Sequence, residues 1–196
     1  MNTRLTEIAC IVDRSGSMDS IRSDAIGGFN AFLEGQKRVP GEARLTLVLF
    51  DHEYLVLHDA TDIRSAPPLD ESTYVPRGTT ALLDAIGRTI DAVGERLSTT
   101  PPAQRPGKVI TAILTDGLEN ASKRYSHARI AEMIEHQRTK YGWEFLFLAA
   151  NQDAVLSARA LAIPAEDAVP YAADSEGVAM AFYEMDVRLA RYRTEE

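Results

Sequence analysis

The sequence has only one cysteine, Cys10, in 196 residues, so no disulfide can form within the chain. Packing and hydrogen bonds must hold the fold without a covalent framework. Cys10 lies inside an apolar run at positions 8–12 and reads as a small buried core residue, not a reactive thiol. Positive charge is scarce: 21 Lys and Arg stand against 29 Asp and Glu, giving a net charge of −8 and no Lys/Arg-rich run. That balance excludes a nucleic-acid partner, and the acidity is read as serving solubility. No apolar stretch approaches the ~20 residues that cross a bilayer. The N-terminus also lacks a basic start followed by an apolar signal core. The expectation is a cytoplasmic protein with no membrane partner.

Enzymatic signatures are missing as well. The four histidines, His52, His58, His127 and His136, show no H-E-x-x-H or H-x-x-x-H spacing, which disfavours a zinc enzyme. There is no G-x-x-x-x-G-K-[ST] phosphate loop. There is no G-x-S-x-G nucleophile elbow either; Arg14-Ser15-Gly16-Ser17 offers a serine without the motif's first glycine.

What is present is an ordinary globular composition, 45% hydrophobic and 26% charged. A chain of this length buries about 70% of its unfolded surface, and residues 1–196 read as one domain. Strand-like and helix-like patterns alternate. Residues 5–12 read as a strand, and Ile21, Ala25, Phe29 and Phe32 recur at helical spacing, predicting a helix over 18–38. Runs at 45–50 and 54–58 flank Asp51-His52-Glu53, which predicts a hairpin and one antiparallel strand. A proline-bearing loop follows over 59–78. A helix marked by Leu82, Leu83, Ile86, Ile90, Val93 and Leu97 comes next, then a surface connection over 99–107 and a buried strand at 109–114. A helix at 126–139, a strand at 143–148, a short helix at 154–161 and an edge strand at 168–171 complete the alternation, with a last helix striped by Val178, Phe182, Met185 and Leu189. This order predicts an α/β fold: a doubly wound, mostly parallel open sheet with one antiparallel strand and helices on both faces. Ligands of such sheets bind at the carboxyl ends of the strands. Asp13 and Asp116 both fall where an apolar strand ends.

Asp13, Ser15 and Ser17, at spacing i, i+2, i+4, share a tight turn between a strand and a helix, and Gly16 permits the bend. Their oxygens can converge on one point, and an oxygen-only set suits a hard divalent cation such as Mg²⁺ or Mn²⁺. Taken alone the motif also fits an ordinary N-capping turn. Two further segments extend it: Arg77-Gly78-Thr79-Thr80 opens a helix, and Leu114-Thr115-Asp116-Gly117 closes a strand.

The ordered pattern D-x-S-x-S, G-T, T-D-G resembles the von Willebrand factor type A domain with its metal-ion-dependent adhesion site. The resemblance implies a Rossmann-like fold with metal-site residues Asp13, Ser15, Ser17, Thr79 and Asp116. Thr80 is the alternative to Thr79. The resemblance further implies that hydroxyls touch the metal, that the acids act through water, and that a protein partner donates an Asp or Glu to the ion. By family association the partner is an AAA-type ATPase or a stress-response protein. The expected function is therefore a non-enzymatic, metal-dependent protein-binding module. The rivals are a metal-assisted phosphoryl or ester hydrolase and a scaffold whose site no longer binds metal. Around the site, Arg14 is expected to point to solvent by alternation, and Asp51-His52-Glu53 to form a solvated turn. Glu119 and Asn120 are expected to cap the following segment or shape the rim, and Asp153 to cap a helix.

Overall fold

A computed structural model describes residues 1–150 and 153–195. Six strands form one sheet: β1 (Asn2–Asp13), β2 (Glu42–Phe50), β3 (Tyr54–Asp62), β4 (Pro106–Thr115), β5 (Glu144–Ala150) and β6 (Ala168–Tyr171). Their order is β3-β2-β1-β4-β5-β6. All neighbours pair in parallel except β2 with β3. The helices are α1 (Arg22–Arg38), α2 (Leu82–Thr99), α3 (His127–Tyr141), α4 (Ala154–Ala160) and α5 (Ser175–Thr194). None of the described helices is long and apolar enough to cross a membrane.

Side chains of the central strands alternate between two buried layers, as period-2 geometry demands. Ile8, Cys10 and Val12 of β1 join Ile110, Ala112 and Leu114 of β4 in a core covered by α1 and α5. Ala9 and Ile11 join Val109 and Ile113 in the opposite core, under α2, α3 and α4. Helices thus cover both faces, as the element order predicts. Cys10 is fully buried, and burial pushes its thiol up to about 12.

Two elements differ from the sequence expectation. The segment expected to begin the first helix at Met18 is instead a 3₁₀ helix, Gly16–Ile21, and α1 starts only at Arg22. Met18 and Ile21 are three apart and both buried, and the tighter helix eclipses i and i+3 so that both enter the core. Strand β3 continues past His58 to Asp62. Its register with β2 shifts near Leu45 and Leu47, and Ala60 takes a left-handed φ of 47°. The Thr46 hydroxyl accepts the Ala60 N–H at 3.1 Å, so a side chain satisfies the irregular backbone and the strand resumes.

The candidate metal centre

Strands β1 and β4 are adjacent and parallel at the middle of the sheet, so Asp13 and Asp116 reach the same rim. Asp13 is the last residue of β1 and is fully buried. Its Oδ1 accepts the Ser15 N–H at 2.7 Å, and its Oδ2 accepts the Thr115 hydroxyl at 2.6 Å. Its carbonyl accepts the Tyr74 hydroxyl at 2.5 Å. From there a string of polar atoms crosses the rim. Ser15 Oγ lies 3.1 Å from Ser17 Oγ, and Ser17 Oγ donates to Asp116 Oδ1 at 2.7 Å. Asp13, Ser15 and Asp116 are buried, while Ser17 and Gly16 are exposed, so the string opens to solvent at Ser17.

The loop before α2 is stapled to this turn. The Arg77 N–H donates to the Arg14 carbonyl at 2.9 Å, and the Gly16 N–H to the Gly78 carbonyl at 3.2 Å. Gly78 has φ +67°, and a Cβ there would fall 2.1 Å from His52 Nδ1, so only glycine fits this corner. Beyond it, Thr80 is buried and Thr79 is exposed. Asn120 clamps Thr80 from both sides: its Oδ1 accepts the Thr80 N–H at 2.9 Å and its own N–H donates to the Thr80 carbonyl at 3.0 Å. A Cβ built on Gly117 would lie 3.2 Å from Thr80 Oγ1 and 3.9 Å from Ser17 Oγ. The absent side chain of Gly117 thus leaves a small hollow between two hydroxyls. Of the residues expected from sequence, Asp13, Ser15, Ser17 and Asp116 are joined through hydrogen bonds, while Thr79 is exposed and its neighbour Thr80 is buried beside Gly117. After the left-handed turn at Gly78, it is Thr80 that faces Gly117 and the Ser17 hydroxyl.

The electrostatics favour a cation. Burial pushes the Asp13 carboxyl up to about 6 against the hydrogen bonds from Thr115 and Ser15. Burial raises Asp116 too, opposed by the Ser17 hydroxyl. A positive ion in front of them would relieve the cost of keeping both ionised. Among the described residues no group of three His, Cys, Asp or Glu side chains is placed to hold a metal. The donor set is hydroxyls with two carboxylates behind, which fits a hard cation that keeps part of its water.

The surroundings depart from expectation at Arg14 and Asp51. Alternation fails past the strand end: Arg14 is 6% exposed, with Nε 3.1 Å from Asp51 Oδ2, an ion contact whose angle falls short of a hydrogen bond. Asp51 is fully buried and also takes Arg77 Nε at 3.0 Å, while Arg77 reaches on to Glu53. The Asp51 carbonyl accepts the Ala81 N–H at 2.8 Å, so the hairpin turn braces the start of α2. Glu119 caps the start of α2 as well as the segment that follows it, accepting the Leu83 N–H at 2.8 Å. It also binds the N–H groups of Ala121 and Ser122. Asp153 caps α4 through the Leu156 N–H, as expected; its neighbours Asn151 and Gln152 lie outside the described residues. Asn120 shapes the rim, as expected, while Tyr74 and Thr115 support the site without having been given a role from sequence. Thr115 stands within the T-D-G segment itself, whereas Tyr74 sits in a loop without periodicity.

No protein-family model and no curated protein sequence matches the chain. Solved structures do. The vWF domain of the type V pili tip protein Mfa5 from Porphyromonas gingivalis superposes with a TM-score of 0.68 at 14% identity, covering 100% of this chain and 98% of that one. Proximal thread matrix protein 1 from the mussel byssus, in a structure with a zinc-occupied MIDAS motif, gives 0.64 at 14% identity over 94% of this chain. The present chain spans about half of that protein's length, 46%. A von Willebrand factor type A structure from Catenulispora acidiphila gives 0.57 at 19% identity, covering 92% of this chain and 42% of that one. At such identities what is shared is the architecture: the chain has the von Willebrand factor type A fold.

Proposed function

We propose that this chain is a metal-dependent protein-binding module. Ser15, Ser17 and Thr80 would hold a hard divalent cation, Mg²⁺ or Mn²⁺, with Asp13 and Asp116 behind them. The bound ion would supply an electrophilic anchor for an aspartate or glutamate of a partner protein. The observation that carries this reading is the string Asp13–Ser15–Ser17–Asp116, with its acids and Ser15 buried and Ser17 open to solvent. Neutral oxygens at the front leave the charge of an ion uncompensated, and a carboxylate from outside compensates it most strongly where the interface excludes water. The hydrolase reading is weaker because both Asp13 oxygens are engaged by Ser15 and Thr115, so neither is poised as a base. An AAA-type ATPase or a stress-response protein is the partner class that the family resemblance suggests.

The test is affinity capture from native lysate with Mg²⁺ and with chelator, repeated with Thr79→Val and Thr80→Val. Capture should require metal, survive Thr79→Val and fail with Thr80→Val. Capture indifferent to chelator would sink the module reading. The reverse ranking of the two threonines would sink only the assignment of Thr80. Changing the captured partner's interface Asp and Glu residues to amides should abolish the metal dependence.

A further inference from the structure

The outer face of α5 carries large apolar side chains that the fold does not use. Met180, Tyr183 and Val187 are 51%, 60% and 46% exposed. Their spacing, i, i+3 and i+7, makes one continuous stripe along a helix. The buried face of α5 is separate and already occupied, with Phe182 and Met185 in the core with α1. The stripe also borders a groove of about 380 Å³ between α5 and the sheet edge, lined by Val169, Tyr171, Met180 and Glu184.

Charge is ordered along this face. Glu176 is exposed near the start of α5 and Arg191 is exposed near its end. Glu176 lies seven residues before Tyr183 and Arg191 eight residues after it. An antiparallel copy of the same helix, with its two-fold axis beside Tyr183, therefore sets Met180 against Val187 and Glu176 against Arg191. A stripe that is its own complement under a two-fold is the mark of an isologous contact. Strand addition at the neighbouring edge is disfavoured, because Pro170 in β6 has no N–H to donate.

We propose that the outer face of α5 is a self-association surface, occupied by α5 of a second copy of this chain running antiparallel. Nothing in this depends on the metal site. One helix pair lies near or below the ~1,000 Å² expected of a stable interface, so the dimer is weak, with Kd in the micromolar range or above. Since β6 ends at Tyr171 and α5 begins at Ser175, the start of α5 lies at the end of the sheet that carries Asp13 and Asp116. The two-fold therefore directs the two rims of a dimer to opposite ends.

Sedimentation equilibrium from micromolar to millimolar protein should show a monomer–dimer transition. Tyr183→Glu should shift that transition at least tenfold upward in concentration without lowering the melting temperature. The register is read by engineered thiols, since Cys10 is buried and inert. Under mild oxidation, Tyr183→Cys should cross-link with itself. Met180→Cys and Val187→Cys should cross-link efficiently only when mixed. A chain that stays monomeric at millimolar concentration, a dimer indifferent to Tyr183→Glu, or Met180→Cys alone cross-linking as well as the mixture would each overturn the proposal.

Discussion

Asp13 is an acid placed where acids are expensive. Burial holds its carboxyl up at about 6, whereas an unfolded chain returns it to ~3.9. The folded protein therefore holds this proton more tightly than the unfolded one. Protonation favours folding fully below pH ~4, and that advantage is lost as pH rises through about 6. In chelator, stability should fall by on the order of 3 kcal/mol across this window, and Asp13→Asn should flatten most of the fall. Metal should act in the opposite sense, adding stability increasingly above pH ~6 because it needs the ionised form. Thermal melts at a series of pH values, with and without Mg²⁺, measure both slopes; a chelated protein equally stable at pH 4 and 7 would show that Asp13 is not held at raised pKa. The reach of sequence at this scale is uneven for physical reasons. Asp13, Ser15 and Ser17 are legible because their spacing is local and follows an apolar strand. Thr80 is not, because a left-handed φ at Gly78 decides which of two adjacent threonines turns inward. Arg14 and Asp51 are not, because the contact that buries them joins segments distant in sequence.

Helix α2 shows how one element borrows from another. Its own N-cap position, Ala81, offers no side-chain acceptor. The free N–H groups are met instead by the stretch after β4, with Glu119 on Leu83 and Ser122 Oγ on Asp84 N. Asp84 returns the favour by accepting the N–H groups of Lys123, Arg124 and Tyr125. Because Asn120 in this stretch clamps Thr80, capping and the candidate metal site share one structure. Glu119→Ala should cost about 1–3 kcal/mol in urea unfolding and also weaken Mg²⁺ affinity. Asp153→Ala, which removes the Leu156 N–H bond capping α4, should cost about 1 kcal/mol and leave metal affinity unchanged. Equal effects of both changes on affinity would refute the shared structure. Helix and strand identity are legible because apolar periodicity is a property of each segment alone. The 3₁₀ helix at the start of α1 and the irregular continuation of β3 are not, since each is set by packing against a neighbour.

At the scale of the whole molecule, the site hangs from the two central strands of the sheet, β1 and β4, while β3 and β6 form its edges. That placement has a consequence for amide hydrogen exchange. Edge strands exchange through small local openings, whereas central strands exchange only when most of the molecule opens. A metal that binds only the folded rim raises the free energy of every opening that destroys the rim, by RT ln(1 + [M]/Kd), and of no other. At a metal concentration ~100 times Kd, the amides of Ile8 to Val12 and of Ile110 to Leu114 should therefore slow about a hundredfold. Those of Leu55 to Leu57 in β3 and of Val169 in β6 should exchange at unchanged rates. The ion would then deepen protection where it is already greatest, leaving the margins of the sheet as mobile as before.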